Sequence, residues 1–337
     1  MKHLKHLGVA LPTFVPDLSF RDMVELAVRA EELGYGRFYT TESLTDTLAI
    51  DMAIALATRR ILVGSFLAII YYRHPLVAYQ GALTINELSG GRFVLGLGVG
   101  HGPRLRALGL SPGRPLEDMR SYVQQVKGLA AGEHVYPLPR QMYLEYELGI
   151  RRPNYPLPVH IGAVGPGMAQ LAGEIADGAA MYMVPLSAIP GMRERIAQGA
   201  RKASRDPSQV ELVLGLHLLL TDDLELARQR ARQALTYWVG LPAYNRAIRL
   251  AGFADEAQRI REAFKRGDME GIRANISDEL VDEFCAVGPP RRCLERIEAF
   301  RQAGVDAVVL MIDPVEAARD YRRQVEEALE ALASASA

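Results

Sequence analysis

Arg59–Gly102, RRILVGSFLAIIYYRHPLVAYQGALTINELSGGRFVLGLGVGHG, reads as strand, loop, helix, tight turn and second strand, the last running into a glycine-rich loop. The run RILVGSFLA is too short for a buried helix and too uniformly apolar for a half-wet strand. It suits a parallel strand covered on both faces. Gly90-Gly91 ends the helix, and RFVLGLG opens a second strand of the same kind. Two such strands joined by a helix form a βαβ unit, whose ligands belong beyond the carboxyl ends of the strands. Those ends are Phe66 to Tyr72 and Gly98 to Gly102.

The same alternation extends both ways. LGVALP (7–12) precedes a helical pattern from Phe20 to Leu33, with Phe20, Met23, Val24, Ala27 and Ala30 on one face. Arg37 to Glu42 is a short strand, followed by an alanine-rich helix from Leu48 to Thr58. A helix over Leu116–Ala130 follows the fourth strand; PVHIGA from Pro158 is the fifth, with a helix from Gly167 to Ala176. Gly178–Val184 is the sixth, with its helix reaching about Ala203, and LVLGLHLLLT (212–221) is the seventh, with Thr221 or Asp222 as cap of the next helix. Pro289–Ala303 is a helix, Ala307–Ile312 the eighth strand, and Pro314–Leu332 the last helix. Two segments break the rhythm. Residues 133–158, rich in proline and tyrosine, read as a covering loop, and 238–285 as a mainly helical insertion. Eight strand–helix pairs in order predict an α/β fold, a single (β/α)8 TIM-barrel domain over 1–337, in preference to a doubly wound sheet.

A chain with 49% hydrophobic residues supports a sizeable core, and 39 basic against 40 acidic residues without a basic tract argue against nucleic-acid capture. Cys285 and Cys293 fit no metal spacing and are expected to be reduced thiols. LGVALP reads as a first strand, not as the core of a secretion signal, and no segment approaches the length of a membrane span; a cytoplasmic protein is expected. Metal, serine-hydrolase and nucleotide-loop motifs are absent from the sequence.

Four places could carry chemistry. GLGVGHG lacks the spacing of a dinucleotide loop; its glycines 96, 98 and 100 either relieve crowding or let a flat ring approach the strand ends. His101, at that mouth, is a candidate to exchange a hydrogen bond or proton with a ligand, or a surface histidine without a role. In HIGAVGPGMAQLAGE a small-residue loop leads to a helix start near Pro166 and Gly167, where free N–H groups suit a phosphate; a plain strand–helix turn is the alternative. Glu42 closes the second strand and could orient a ring or relay a proton, or simply pair with Arg73. Tyr71 and Tyr72 either flank an aromatic ligand or pack under the covering loop.

Thr58-Arg59-Arg60-Ile61 with Gly64, Arg73-His74-Pro75, Leu88-Ser89-Gly90-Gly91-Arg92-Phe93 then Gly96, Gly98 and Gly100, Gly162-Ala163 with Gly165-Pro166, Ala172-Gly173-Glu174, Ala176-Asp177-Gly178 and Gly304-Val305-Asp306 carry a resemblance across nearly the whole chain. It resembles the bacterial luciferase-like superfamily of barrel enzymes, which use FMN or the deazaflavin coenzyme F420. Within it, the chain is most similar to methylenetetrahydromethanopterin reductase-like enzymes. The resemblance implies a bulge with a non-proline cis peptide at Phe66–Leu67 behind the ring. It implies that Gly162, Ala163, Gly165, Pro166 and Gly167 lie along the cofactor phosphate and ribityl chain, and that Gly98 and Gly100 lie beside the ring. Glu42 matches an acidic position at the end of the second strand, and His101 falls where relatives place an acidic catalytic group. Relatives follow the first acid with histidine, whereas this chain has Ser43. The implied activity is hydride transfer between coenzyme F420 and an alcohol, carbonyl or pterin-like substrate, with Glu42 and His101 as catalytic candidates. The alternatives are an FMN-dependent monooxygenase served by a separate flavin reductase and a non-catalytic flavin-binding protein. Outside the resemblance, a phosphate-binding isomerase or lyase is a further alternative. The resemblance also implies a homodimer through the early barrel helices.

Overall fold

Strands that are apolar on both faces need cover on both, and here they find it by closing on themselves. A computed structural model describes residues 3–13, 15, 17–43, 45–133, 151–316 and 320–336. The strands β1 (Leu7–Pro12), β2 (Arg37–Thr41), β3 (Leu62–Ser65), β4 (Ala68–Ile69), β5 (Phe93–Gly98), β6 (Val159–Gly162), β7 (Gly178–Tyr182), β8 (Glu211–Leu220), β9 (Cys285–Gly288) and β10 (Ala307–Ile312) pair in parallel. β10 pairs with β8, Ala307 opposite Val213, and with β1, Leu7 opposite Val308, which closes an eight-stranded barrel. The expected TIM-barrel class is therefore what the chain adopts.

Alternation along the strands sorts the side chains. Val9, Leu11, Phe38, Val308 and Leu310 point outward into the layer beneath the helices. Ala10, Tyr39, Val213, Ala307 and Val309 pack inside the barrel with Phe66 and Ala180. The helices start and stop where the sequence supplies caps. In α1 (Phe20–Leu33), Ser19 and Asp22 form a reciprocal capping box and Gly34 ends the helix at φ 92°. α2 (Thr47–Ala57) is capped by Asp46, and α3 (Pro75–Ser89) by His74, with proline in its first turn. α4 (Gly102–Ala107) and α5 (Pro115–Ala131) follow β5; α6 (Pro166–Ile175) and α7 (Ile189–Lys202) follow β6 and β7.

Several boundaries differ from those read in the sequence. RILVGSFLA is not one strand: it breaks between β3 and β4, and the Phe66–Leu67 peptide in the break is cis, as the resemblance implies. α8 (Leu224–Gly240) is capped by Asp223 and not by Thr221 or Asp222, because the Asp223 side chain reaches the Leu226 N–H at 3.0 Å. The insertion therefore grows out of a long helix and continues through α9 (Pro242–Leu250), α10 (Ala254–Lys265), α11 (Met269–Ala274) and α12 (Asp278–Phe284). Leu235, Val239, Ile248, Ile260, Ile272 and Leu280 give it a core of its own. Its end is a correction: Cys285–Gly288 is β9, paired with His217–Leu220 along the edge of β8 that β7 leaves bare above Gly215. Four residues flush against a helix carry too little alternation to announce a strand. α13 (Pro290–Gln302) fits the expectation, whereas α14 (Tyr321–Ala335) begins later than Pro314, behind the Asp320 cap.

Most of the covering loop, residues 134–150, lies outside the described residues. Its last part, 151–158, is held under α3, where the Asn86 side chain donates to the carbonyls of Tyr155 at 3.1 Å and Pro156 at 3.2 Å. Cys285 and Cys293 are free, buried thiols. Among the described residues, no helix is long and apolar enough to cross a membrane.

Candidate active site

The break in the third barrel strand shapes one wall of the mouth. Phe66 turns into the barrel, edge-on to Tyr39 with ring centroids 5.8 Å apart, and its N–H donates to Thr40 at 2.8 Å. Leu67 also lies inside the barrel, across the glycines of the next two strands. A Cβ on Gly96 would stand 2.9 Å from Leu67 Cδ2, one on Gly98 3.0 Å from Leu67 Cβ, and one on Gly162 2.5 Å from Leu67 Cδ1. Gly98 and Gly162 relieve crowding against one leucine, which becomes a shelf at the strand ends, while Gly96 first clears the Ser65 carbonyl oxygen. Gly100, at φ 63°, turns the chain away beside Ile69.

Glu42 sits one residue past β2 with its side chain 1% exposed. It accepts the Ile69 N–H at 2.5 Å and both terminal nitrogens of Arg73, whose side chain is 11% exposed. Arg73 also reaches Asp46 at 3.2 Å, and Ser43 accepts from Arg104 at 2.9 Å. The Glu42 carboxylate is thus tied to the loop after β4: it fixes that loop in place. Cavities of about 550 Å³ and about 310 Å³ lie on either side of Arg73, the first lined by Tyr71 and Gln125, the second by Ser43 and Leu108, and Tyr72 borders both. Tyr71 donates to Asp118 at 2.6 Å.

His101 precedes α4 without capping it, and its ring lies 5.5 Å from Trp238. Burial, and then the neighbouring Arg104, push its pKa below the ordinary histidine value, so the imidazole is neutral near pH 7. Trp238, from the last turn of α8, meets Tyr182 edge-on at 5.1 Å, and Tyr244 packs against both.

Tyr182 leads to a group that sequence reasoning missed. Its hydroxyl lies 2.7 Å from His217 Nε2, and His217 Nδ1 lies 2.5 Å from Asp313 Oδ2. The carboxylate can only accept, which puts a proton on Nδ1; in the neutral imidazole this leaves Nε2 to accept from tyrosine. Burial raises the Tyr182 pKa well above its usual value and keeps the phenol a donor. The three residues come from the end of β7, the middle of β8 and the position after β10. One signal was available: His217 is the sole polar side chain in GLHLLL.

The phosphate-type turn is open. Gly165 is the N-cap of α6, no side chain caps that helix, and a Cβ on Gly165 would meet nothing within 4 Å. Pro166 and Gly167 are exposed, while Ala163 is buried, its N–H donating to Ala180 at 2.8 Å. The first-turn N–H groups therefore face outward with no side chain competing for them, which fits an anionic group. The structure thus brings Leu67, Gly98 and Gly162 into one packed contact and pairs His101 with Trp238. Glu42 belongs to a separate buried ion pair.

A closed parallel barrel with polar and aromatic side chains gathered at its carboxyl mouth is the architecture of a barrel enzyme. Residues 5–307 match the luciferase-like monooxygenase family, and the chain belongs to it. It is 30% identical over 305 residues to the 5,10-methylenetetrahydromethanopterin reductase of Archaeoglobus fulgidus, covering 88% of this chain and 91% of that one. Among solved structures, the coenzyme F420-dependent tetrahydromethanopterin reductase of Methanopyrus kandleri superposes with a TM-score of 0.77 at 20% identity, over 97% of this chain and 98% of the other. A monooxygenase from Streptomyces bottropensis gives 0.69 at 18% identity, over 97% of each chain. The structural likenesses speak for the fold alone. With the family match, the protein is an oxidoreductase of the flavin- and deazaflavin-binding luciferase-like type.

Proposed function

We propose that the protein transfers hydride between coenzyme F420 and an organic substrate: an alcohol, a carbonyl compound or a pterin-like acceptor. The observation that carries this reading is the Leu67 shelf lying across Gly98 and Gly162, on the strand that leads to the uncapped start of α6. A flat ring with a phosphate-bearing tail needs both parts. The similarity to a 5,10-methylenetetrahydromethanopterin reductase, with the fold shared with a coenzyme F420-dependent tetrahydromethanopterin reductase, supports the choice of cofactor. Phe66, Leu67, Gly98 and Gly100 would hold the ring, and Gly162, Ala163, Gly165, Pro166 and Gly167 the tail. When bound, the deazaflavin supplies a carbon that gives or takes hydride. Glu42 acts by holding the loop after β4 through Ile69 and Arg73, and neutral His101 orients the ligand from beside Trp238. A homodimer through α2 and α3 is supported by the exposed Leu56, Val77 and Leu88.

The second reading is an FMN-dependent monooxygenase supplied by a separate flavin reductase, favoured by the match to the luciferase-like monooxygenase family. Anaerobic titration with coenzyme F420 and with FMN, following spectra and affinity, separates the two. Selective binding of coenzyme F420 is the expected result; selective binding of reduced FMN would replace this reading with the second.

A further inference from the structure

We propose that Tyr182, His217 and Asp313 form the proton-transfer chain of the site, ordered to accept a proton from a neutral substrate hydroxyl as the adjoining carbon loses hydride. This rests on the hydride-transfer reading and narrows its substrate to an alcohol and the matching carbonyl compound.

The direction of the hydrogen bonds carries the inference. With the neutral imidazole in its Nδ1–H tautomer, tyrosine donates to Nε2 across 2.7 Å and Nδ1–H donates to Asp313 across 2.5 Å, so both protons point toward the carboxylate. The Tyr182 oxygen keeps lone pairs for one more donor, which a substrate hydroxyl provides and a carbonyl does not. His217 is 5% exposed inside an otherwise apolar strand, whereas the Asp313 side chain is 25% exposed. The chain thus begins at the half-buried Tyr182 and ends where a proton can reach water. A histidine needed only for packing would require no such exit. Trp238 and Tyr244 flank Tyr182 with uncharged rings, and neutral His101 lies against Trp238, which suits an apolar alcohol. On the opposite wall, the Glu42 carboxylate is taken up by Arg73 and the Ile69 N–H, and Ser43 offers no basic nitrogen.

In the oxidising direction, the substrate C–H bond breaks and its electron pair leaves as hydride to the oxidised deazaflavin or flavin ring, which gains two electrons. The substrate O–H bond breaks as well: its proton goes to the Tyr182 oxygen while the Tyr182 proton moves to His217 Nε2, and the carbonyl forms. The imidazolium is held by Asp313 until the carbonyl product leaves; one proton then passes to solvent and the ring regains its Nδ1–H tautomer. Carbonyl reduction runs the same steps backwards.

The test is anaerobic single turnover of coenzyme F420, and of FMN, with 2-propanol, 2-butanol and cyclohexanol. Wild type, Tyr182→Phe and Asp313→Asn are compared. Tyr182→Phe is expected to slow the hydride step by about 100-fold or more at unchanged coenzyme affinity, within the usual range for proton-transfer groups. It should also abolish the solvent deuterium effect while the effect of deuterium on the substrate carbon remains. Asp313→Asn should lower kcat and leave KM near its wild-type value. A readout without turnover uses ¹⁵N-histidine spectra of the wild type, with His217 assigned by its loss in His217→Gln; the proton is expected on Nδ1. A proton on Nε2, or a Tyr182→Phe rate within twofold of wild type, overturns the proposal. Coenzyme binding without turnover of any alcohol overturns it too, but leaves hydride transfer standing. Failure to bind either coenzyme overturns the hydride-transfer reading and this inference with it.

Discussion

Leu67 Cδ1 occupies the space that a side chain on Gly162 would need: a Cβ there would stand only 2.5 Å away. The obstacle is the tip of a flexible side chain, so Gly162→Ala should cost no more than about 1.5 kcal/mol, because Leu67 can rotate. Rotation, however, changes the shelf. Coenzyme affinity should fall at least tenfold, and Leu67→Ala in the same protein should recover part of it. Gly96→Ala is a different case, since its Cβ would overlap the Ser65 carbonyl oxygen, which cannot turn aside. That variant should lose about 3 kcal/mol or more in urea unfolding. Equal losses for the two variants would count against this description of the wall.

Glu42 and Arg73 form a buried ion pair, and breaking one side strands the other. Arg73→Met should destabilise the fold by about 3–5 kcal/mol, and Glu42→Leu with Arg73→Met should be clearly more stable than Arg73→Met alone. Urea unfolding of the four proteins of the cycle measures this. Glu42→Gln, corrected for folded fraction, should keep the hydride-transfer rate within about tenfold, as a positioning residue would. A loss of about 10³-fold in fully folded protein would instead make Glu42 a proton-transfer group.

The barrel could be read in the sequence because its evidence is local. Each strand shows as a short apolar run and each helix as a spaced apolar face with a cap; α1 falls on Phe20–Leu33 as expected. What could not be read depends on distant parts meeting. Tyr182, His217 and Asp313 lie 35 and 96 residues apart along their two hydrogen bonds, and no local pattern joins them. β9 was hidden for a related reason: CAVG becomes a strand because β8 outruns β7 and leaves an edge to pair. The Phe66–Leu67 break was legible only through resemblance, since GSFLA by itself looks like continuous strand. Glu42 was legible as a residue at the mouth, but its commitment to Ile69 and Arg73 required the loop to be folded back upon it.

His160 supplies a pH test at the other end of the barrel. It is 4% exposed, with Nε2 3.6 Å from Glu211, which pairs with Arg37. Burial is the largest influence and lowers its pKa to about 4, outweighing the pull of Glu211. Between the unfolded value near 6.5 and the folded value, the unfolded chain binds more protons, so stability falls as pH falls through that window. This one group should contribute a loss of about 3 kcal/mol from pH 6.5 to pH 4. His160→Gln should show a flatter profile than wild type over that interval. Parallel profiles for the two proteins would mean that His160 titrates normally in the folded state.

Direct hydride transfer at the barrel mouth is tested most plainly by following the hydrogen itself. The protein is supplied, without oxygen, with reduced coenzyme F420 carrying deuterium on its hydride-donating carbon, together with a panel of ketones and a methylene-pterin acceptor. The reduced products are then read by mass spectrometry. One deuterium per product molecule, in the absence of oxygen, is the result predicted. Product that forms only with reduced FMN and oxygen, with an oxygen atom gained and no deuterium, would contradict it.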